Sequence, residues 1–308
     1  MVFLLLVIGI IFAGLGGELF VKGAVGVASW AKIPAGIIGA TIAAFATSSP
    51  ELSVSIISAT NKKSELALGD AIGSNLTNIC LVLGIALILK PLKVSKRELK
   101  RDLPFAIIAP VLVLVLSIDK KINYIDGIVM ILFFTVWLML GLIQTIKARS
   151  ETSEVLGEKK INKSVIFLLA GLILLVSAGY LIVDGAKAIG DLLGWDTFIV
   201  GATFVALGTS TPELATTIIS RMRGHDDIGV GTVIGSNIFN MLLIVAIAAI
   251  IYPIKVSSAD ITAPVLLSLI SMVLLIPLKS NVLNRSKGYV LVAIYIVYIL
   301  YTTIFIAH

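Results

Sequence analysis

Residues 38–52 read IGATIAAFATSSPEL, and residues 200–214 read VGATFVALGTSTPEL. The two stretches align at an offset of 162 residues. The same offset joins Gly23 to Gly185, Gly73-Ser74 to Gly235-Ser236, Asn78 to Asn240 and Pro91 to Pro253. Each copy carries a glutamate, Glu51 or Glu213, one residue after a proline and inside a long apolar segment. A carboxylate at membrane depth costs at least about 2.5 kcal/mol on insertion scales. Two such groups at matched positions read as one site built twice, and the duplication reads as a fold made of two related halves.

Around these motifs the chain is 58% hydrophobic and 14% charged, with a mean hydropathy of +1.08. No soluble core needs that much apolar sequence, so the class is polytopic membrane protein. Ten apolar segments stand out, at residues 3–28, 35–60, 66–89, 103–118, 123–146, 164–190, 196–220, 228–252, 260–278 and 287–306. Most reach the roughly 17–25 residues that a spanning helix needs. The segment 103–118 is the shortest. Length argues for helices, since barrel strands need only about ten residues of alternating polarity. The first segment lacks a basic leader and a small-residue cleavage site, so it reads as a span rather than a signal peptide. The single cysteine, Cys80, lies in an apolar run and rules out an intrachain disulfide.

The longest polar stretch is KARSETSEVLGEKKINK at 147–163. It leaves five segments on either side. An odd number of spans per half forces the halves into opposite orientations. The expected fold is therefore an all-α polytopic membrane protein, with ten transmembrane helices as two inverted five-helix repeats. Residues 1–146 form the N-terminal repeat, 147–163 a cytoplasmic linker and 164–308 the C-terminal repeat.

Lysine and arginine set the orientation. With the N-terminus outside, the inside loops hold Lys32, six basic residues at 90–101, five at 147–163, Arg221, Arg223, Lys279, Arg285 and Lys287, which is 17. The outside loops hold Lys62, Lys63, Lys120, Lys121 and Lys255, which is 5. This bias puts both termini outside a cell (plasma) membrane. The net charge of +6 is thus topological rather than a sign of nucleic-acid binding. The run KVSKRELKRD at 93–102 reads as a topogenic loop against anionic lipid.

The motifs collect oxygen donors. Thr47 and Ser48 lie four and three residues before Glu51, on one helical face. Pro50 has no N–H, so the carbonyl of Ala46 loses its helical partner. The second copy repeats this with Thr209, Ser210, Pro212 and Glu213, and with the carbonyl of Gly208. In the third segment Asp70, Ser74 and Asn78 share a face; in the eighth, Thr232, Ser236 and Asn240 do. Both histidines, His225 and His308, fall outside the spans. Oxygen-only ligands favour calcium, sodium or magnesium over zinc, copper or iron. Two glutamates match one divalent ion, and calcium accepts six to eight flexible oxygens where magnesium demands an octahedron.

Other readings are weighed against this one. Small-residue runs often serve only to pack helices. Duplication of Pro-Glu in both halves speaks against that here. A serine protease needs a base such as histidine, and an aspartyl protease needs a second intramembrane aspartate to match Asp70, so an enzyme is not expected. A channel fits two grouped glutamates less well than an occluding site does.

ATSSPEL and GTSTPEL, with GDAIGSNLTN and GTVIGSNIFN, resemble the two alpha-repeats of the calcium/cation antiporter superfamily. The likeness is strongest to prokaryotic sodium/calcium exchangers and covers essentially the whole chain. It implies that Glu51 and Glu213 are shared ligands of Ca2+ and Na+. Thr47 and Thr209 would add oxygens to calcium, through their carbonyls. Ser48, Ser74, Ser210 and Ser236 would serve flanking sodium sites, with the carbonyls of Ala44 and Ala206. Asn78 and Asn240 would close the middle of the site. In this superfamily an aspartate at the position of Asn240 goes with potassium-dependent exchange, so asparagine implies potassium independence. The GN-x-x-E-type motifs usual in proton/calcium exchangers are absent from this sequence.

Two residues depart from the family pattern. Asp70 stands where such repeats commonly have asparagine, either as a third acid on the ion path or as an interfacial aspartate at a helix start. Ser49 replaces a usual apolar residue. The expectation is thus a secondary active sodium/calcium antiporter working by alternating access, with segments 1 and 6 moving against a core of segments 2, 3, 7 and 8. The alternative is a proton/calcium antiporter. No cofactor is expected. The partners are Ca2+, Na+ or H+ and the lipid bilayer, with no nucleic acid and an open oligomeric state.

Overall fold

The structure is a computed structural model of the 308-residue chain. It describes residues 2–30, 45, 47–94, 98–148, 161–211, 213–214, 217–218, 226–277 and 282–306.

Ten helices can be traced among the described residues. They are α1 (Val2–Trp30), α2 (Ser49–Thr60), α3 (Ser64–Leu76, Thr77–Leu83 and Gly84–Leu89 in one run), α4 (Leu103–Leu116) and α5 (Tyr124–Ala148). The rest are α6 (Ile161–Leu193), α7 (Thr197–Val200, Gly201–Val205 and Ala206–Thr209), α8 (Asp226–Ile238, Phe239–Ile244 and Val245–Ile251), α9 (Ser258–Leu274) and α10 (Arg285–Tyr301). Six of them are long and apolar enough to cross a membrane: α1, α3, α5, α6, α8 and α10. These six match six of the ten apolar segments in spanning length, and each of the other four segments overlaps a shorter described helix, α2, α4, α7 or α9.

The six long helices fall into two classes. In α3 and α8, 78% of the apolar window is buried; in α1, α5, α6 and α10, 28% is. The first pair is therefore central and the other four face lipid. Composition explains the split. The stretch LALGDAIGSN of α3 is small and polar, while α1 and α6 expose Phe3, Ile11, Leu15, Ile166 and Ile173. Lipid solvates such side chains as well as a protein core does, so only small or polar faces gain by turning inward.

Close approach of α3 and α7 depends on absent side chains. A Cβ on Gly69 would lie 2.1 Å from the Phe198 carbonyl oxygen, and one on Gly73 would lie 2.3 Å from that of Ala202. One on Gly201 would lie 2.5 Å from the Leu66 carbonyl oxygen. α1 and α6 form a second layer, packed antiparallel, with Gly23 against Leu168 and Gly185 against Leu6. This layer shares an apolar cluster with α2, α3 and α7, including Leu6, Val54, Ile57, Leu66, Ile182 and Val205. The main cluster holds Ile79, Leu83, Phe134, Phe239 and Tyr298 from the remaining helices.

Two short antiparallel ribbons tie loops together. β1 (Leu92–Lys93) pairs with β4 (Val282–Leu283), and β2 (Lys121–Ile122) with β3 (Ile254–Lys255). Each ribbon joins two loops that the charge pattern assigns to one side of the membrane.

Several expectations need correction. The second and seventh segments are not straight helices. Ser48 has φ −88°, ψ 6° and Ser210 has φ −79°, ψ 4°, so each chain turns two residues before its proline. A proline ring clashes with the carbonyl four residues back, and the turn relieves it. The Gly208 carbonyl, expected free, takes a backbone N–H at the Ser210 cap; helix ends tighten this way to satisfy orphan carbonyls. Ala46 and Pro212 lie outside the described residues, as do residues 149–160 of the linker, His225 and His308. Lys22 pairs with Glu18 one turn away. Arg101 is held by Asp102 at 2.6 Å and lies over Trp137, so it braces the protein rather than waiting for lipid.

Candidate cation site

The two proline turns bring the start of α2 and the end of α7 against the middle of α3 and α8. Glu51, Glu213 and Asp70 all sit there with 0% exposure. Asp70 lies mid-helix, so the interfacial alternative for it is overturned.

The floor of the site is an asparagine quartet with approximate two-fold symmetry. Asn75 Nδ2 donates to the Asn237 carbonyl at 3.2 Å, and Asn237 Nδ2 donates to the Asn75 carbonyl at 3.2 Å. Asn78 Nδ2 donates to Asn237 Oδ1 and Asn240 Nδ2 to Asn75 Oδ1, each at 3.1 Å. These bonds lock α3 to α8. They also turn the Oδ1 atoms of Asn78 and Asn240 away, without hydrogen-bond partners among the described residues. Widened π-type turns, Thr77–Leu83 and Phe239–Ile244, begin beside these asparagines. Such turns occur frequently at functional sites.

Hydroxyls bridge the helices. Thr47 Oγ1 and Ser236 Oγ lie 3.0 Å apart, and Ser236 donates to Glu213 Oε1 at 3.2 Å. In the other half Ser74 and Thr209 lie 3.3 Å apart, and both donate to Asp70 Oδ1, at 3.3 and 3.1 Å.

What remains is a set of bare oxygens. Both Glu51 oxygens, Glu213 Oε2, Asp70 Oδ2, Ser48 Oγ, Ser210 Oγ and the two asparagine oxygens are buried without partners among the described residues. Among the described residues, only Thr217 and Ser268 extend that group beyond these motifs. Buried carboxylates without a counter-charge are costly, and a desolvated cation is the compensation that hard oxygens can hold. Among the described residues no three acids converge on one point that could hold a metal. Two carboxylates with hydroxyl and amide oxygens are therefore the available ligand set around a single ion.

The structure thus joins Glu51, Glu213, Asp70, Thr47, Thr209, Ser74, Ser236, Asn78 and Asn240, with Ser48 and Ser210 at the turns. Ala44 lies outside the described residues. The Ala206 carbonyl accepts the Ser210 N–H at 3.1 Å, so its expected role beside sodium would have to use its second lone pair. Reading the sequence for acids and hydroxyls missed Asn75 and Asn237. Their signal was present, because both GSN triplets repeat at the 162-residue offset.

Comparison with known proteins follows the same two halves. The chain matches the family described as sodium/calcium exchanger protein over residues 1–142 and again over 163–304. It is 31% identical to the inner membrane protein YrbG of Escherichia coli over 280 residues, covering 87% of this chain and 86% of that one. It is 27% identical to the sodium/calcium exchanger MaX1 of Methanosarcina acetivorans over 342 residues, covering 96% and 97%. A solved structure of the sodium-calcium exchanger NCX_Mj, soaked with Na+ and Sr2+, resembles it with a TM-score of 0.68 at 30% identity, covering 97% and 99%.

Proposed function

The chain belongs to the sodium/calcium exchanger protein family, and on that premise we propose that it exchanges Na+ for Ca2+ across the cell membrane by alternating access at Glu51 and Glu213. Membership makes it a membrane transporter of the cation/Ca2+ antiport kind and not an enzyme. The observation that carries the finer reading is the pair of fully buried glutamates, matched across the repeats, with three of their four oxygens unpartnered among the described residues.

One Ca2+ takes Glu51 and Glu213 together, with oxygens of Thr47 and Thr209. Na+ ions use the same glutamates with Ser48, Ser74, Ser210 and Ser236, the Ala44 and Ala206 carbonyls flanking them. Asn78 and Asn240 close the centre. Sharing the carboxylates makes the ions compete, and competition couples exit of one to entry of the other. If more than two Na+ replace one Ca2+, each cycle moves charge, worth about 2.3 kcal/mol per 100 mV. Asn240 makes the exchange independent of potassium.

The fold reading is ten spans as two inverted repeats with both termini outside. The 162-residue offset, the paired family match and the reciprocal Asn75–Asn237 bonds support it. Alternating access comes from α1 and α6 sliding against α2, α3, α7 and α8. The close glycine contacts of α1 with α6, such as Gly23 against Leu168 and Gly185 against Leu6, support their moving as a pair.

The test is Ca2+ uptake into proteoliposomes under an imposed Na+ or H+ gradient, applied separately. Na+-driven uptake is expected. The third buried acid, Asp70, is the observation favouring the proton/calcium alternative. Uptake driven by H+ and indifferent to Na+ would select that alternative.

A further inference from the structure

Two tyrosines of α10 turn inward. Tyr298 is wholly buried and Tyr295 nearly so, and their ring centroids lie 6.1 Å apart. The Tyr298 hydroxyl donates to the Ala202 carbonyl at 2.6 Å. Ala202 belongs to the widened π-type turn Gly201–Val205 of α7. In a regular α-helix the Ala202 carbonyl would take the Ala206 N–H. Here that N–H goes to the carbonyls of Gly201 and Thr203. The tyrosine therefore supplies a donor that the turn itself has directed elsewhere.

The turn leads straight into the cation site. Ala206 follows it directly, and Thr209 and Ser210 come within the next helical turn. Thr209 has its own tie to α3, through Asp70 at 3.1 Å and Ser74 at 3.3 Å. The setting of Ala206 comes from the turn. Tyr295 stands differently. The Thr77 hydroxyl reaches it at 3.3 Å but also donates to the Gly73 carbonyl at 2.9 Å. The 162-residue offset pairs Tyr298 with Val136 and Tyr295 with Phe133, and both of these are exposed on α5. At this register the first half offers no hydroxyl.

We propose that Tyr298 is a positioning residue for Na+: its hydroxyl holds the α7 turn open and so sets the Ala206 carbonyl beside the ion. The inference rests on the antiporter reading above and adds to it a residue of α10 that touches no ion. Without the hydroxyl, the Ala202 carbonyl regains the Ala206 N–H, the turn tightens, and the Ala206 carbonyl rotates away from its Na+. Ca2+ keeps its ligands, because Glu51 and Glu213 do not depend on the turn and Thr209 is tied to α3. The loss therefore falls on Na+ and spares Ca2+.

The experiment is equilibrium binding of radiolabelled Ca2+ to the purified full chain in choline chloride, followed by displacement with NaCl. It compares the unmodified chain, Tyr298→Phe and Tyr295→Phe. Tyr298→Phe keeps the ring and leaves the Ala202 carbonyl a backbone donor, so it should fold, and its melting temperature in detergent checks this. In Tyr298→Phe the Na+ concentration for half-displacement should rise roughly three- to tenfold, the span of one net hydrogen bond, while the Ca2+ Kd stays within about twofold. Tyr295→Phe loses a hydroxyl from the same helix, but Thr77 keeps the Gly73 carbonyl, so displacement should match the unmodified chain. A merely structural Tyr298 would lower the melting temperature and the amount of Ca2+ bound, and would leave both constants unchanged or shift them together. Either result overturns the proposal. So does an equal Na+ shift in Tyr295→Phe. Ca2+ binding by the unmodified chain that no concentration of Na+ displaces would remove the Na+ antiport reading itself, and this inference with it.

Discussion

Glu51 and Glu213 are expected to be indispensable because each supplies half of the charge that a divalent ion needs. Glu51→Gln and Glu213→Gln should each abolish Ca2+ uptake in proteoliposomes while the protein still elutes as a folded species. Near-normal flux in either variant would remove the assigned roles. The asparagine floor acts differently. Asn75→Ala deletes the Asn75–Asn237 bond from its amide and strips Asn240 of its acceptor. An orphaned buried polar group costs about 1–3 kcal/mol. The expected result is a lower melting temperature together with weaker Ca2+ binding, since Asn240 is no longer oriented. Unchanged melting and affinity would show that the quartet is not what positions the site. At Asn240 itself, Ca2+ exchange should run at full rate with no potassium on either side, and an absolute potassium requirement would contradict that assignment.

Among the elements, α3 is the most constrained. It packs its small face on α7 so closely that Gly73 and Gly201 touch backbone carbonyls. Backbone cannot yield as a flexible side chain can, so Gly73→Val should cost at least the usual 1–3 kcal/mol or so of overpacking. A methyl group on Gly14 would meet nothing within 4 Å, so that position serves as the control: Gly14→Ala should keep stability or raise it by up to about 1 kcal/mol through helix propensity. Thermal unfolding of the two variants in detergent checks the contrast, and equal melting temperatures would contradict the α3–α7 contact. The proline turns at Ser48 and Ser210 also belong to this scale. Spacing alone placed Thr47, Ser48 and Glu51 on one helical face, as on a straight helix. The turn sends Thr47 to Ser236 on α8. Sequence periodicity describes a regular element and therefore fails where proline forces the chain off its axis.

For the whole molecule, orientation is the open quantity, and the 17-to-5 distribution of basic residues predicts it. A cysteine introduced between residues 149 and 160 should react with an impermeant reagent only from the cytoplasmic side. One placed next to His308 should react only from outside. The reverse labelling would invert the molecule and exchange the sides from which Na+ and Ca2+ enter. The ribbons add an internal check. β1 with β4 and β2 with β3 require their loops to share a side, and the charge-based topology meets both requirements.

The linear chain by itself determined where helices lie, that the halves are related and which atoms are offered to an ion. Apolar length, a fixed offset and side-chain chemistry are all properties of one dimension. Tertiary structure alone decided which donor meets which acceptor. The sequence marks Ser74 and Thr209 as equivalent to Ser236 and Thr47, yet both of their hydroxyls reach Asp70, which has no counterpart acid in the other half. The depth of Asp70 and the crossed bonds of Asn75 and Asn237 were likewise settled only when α3, α7 and α8 were in contact. A hydrogen bond depends on distances of about 3 Å between groups far apart in sequence. A repeat pattern fixes residue types at such positions but not the small displacements that decide which carboxylate a hydroxyl meets.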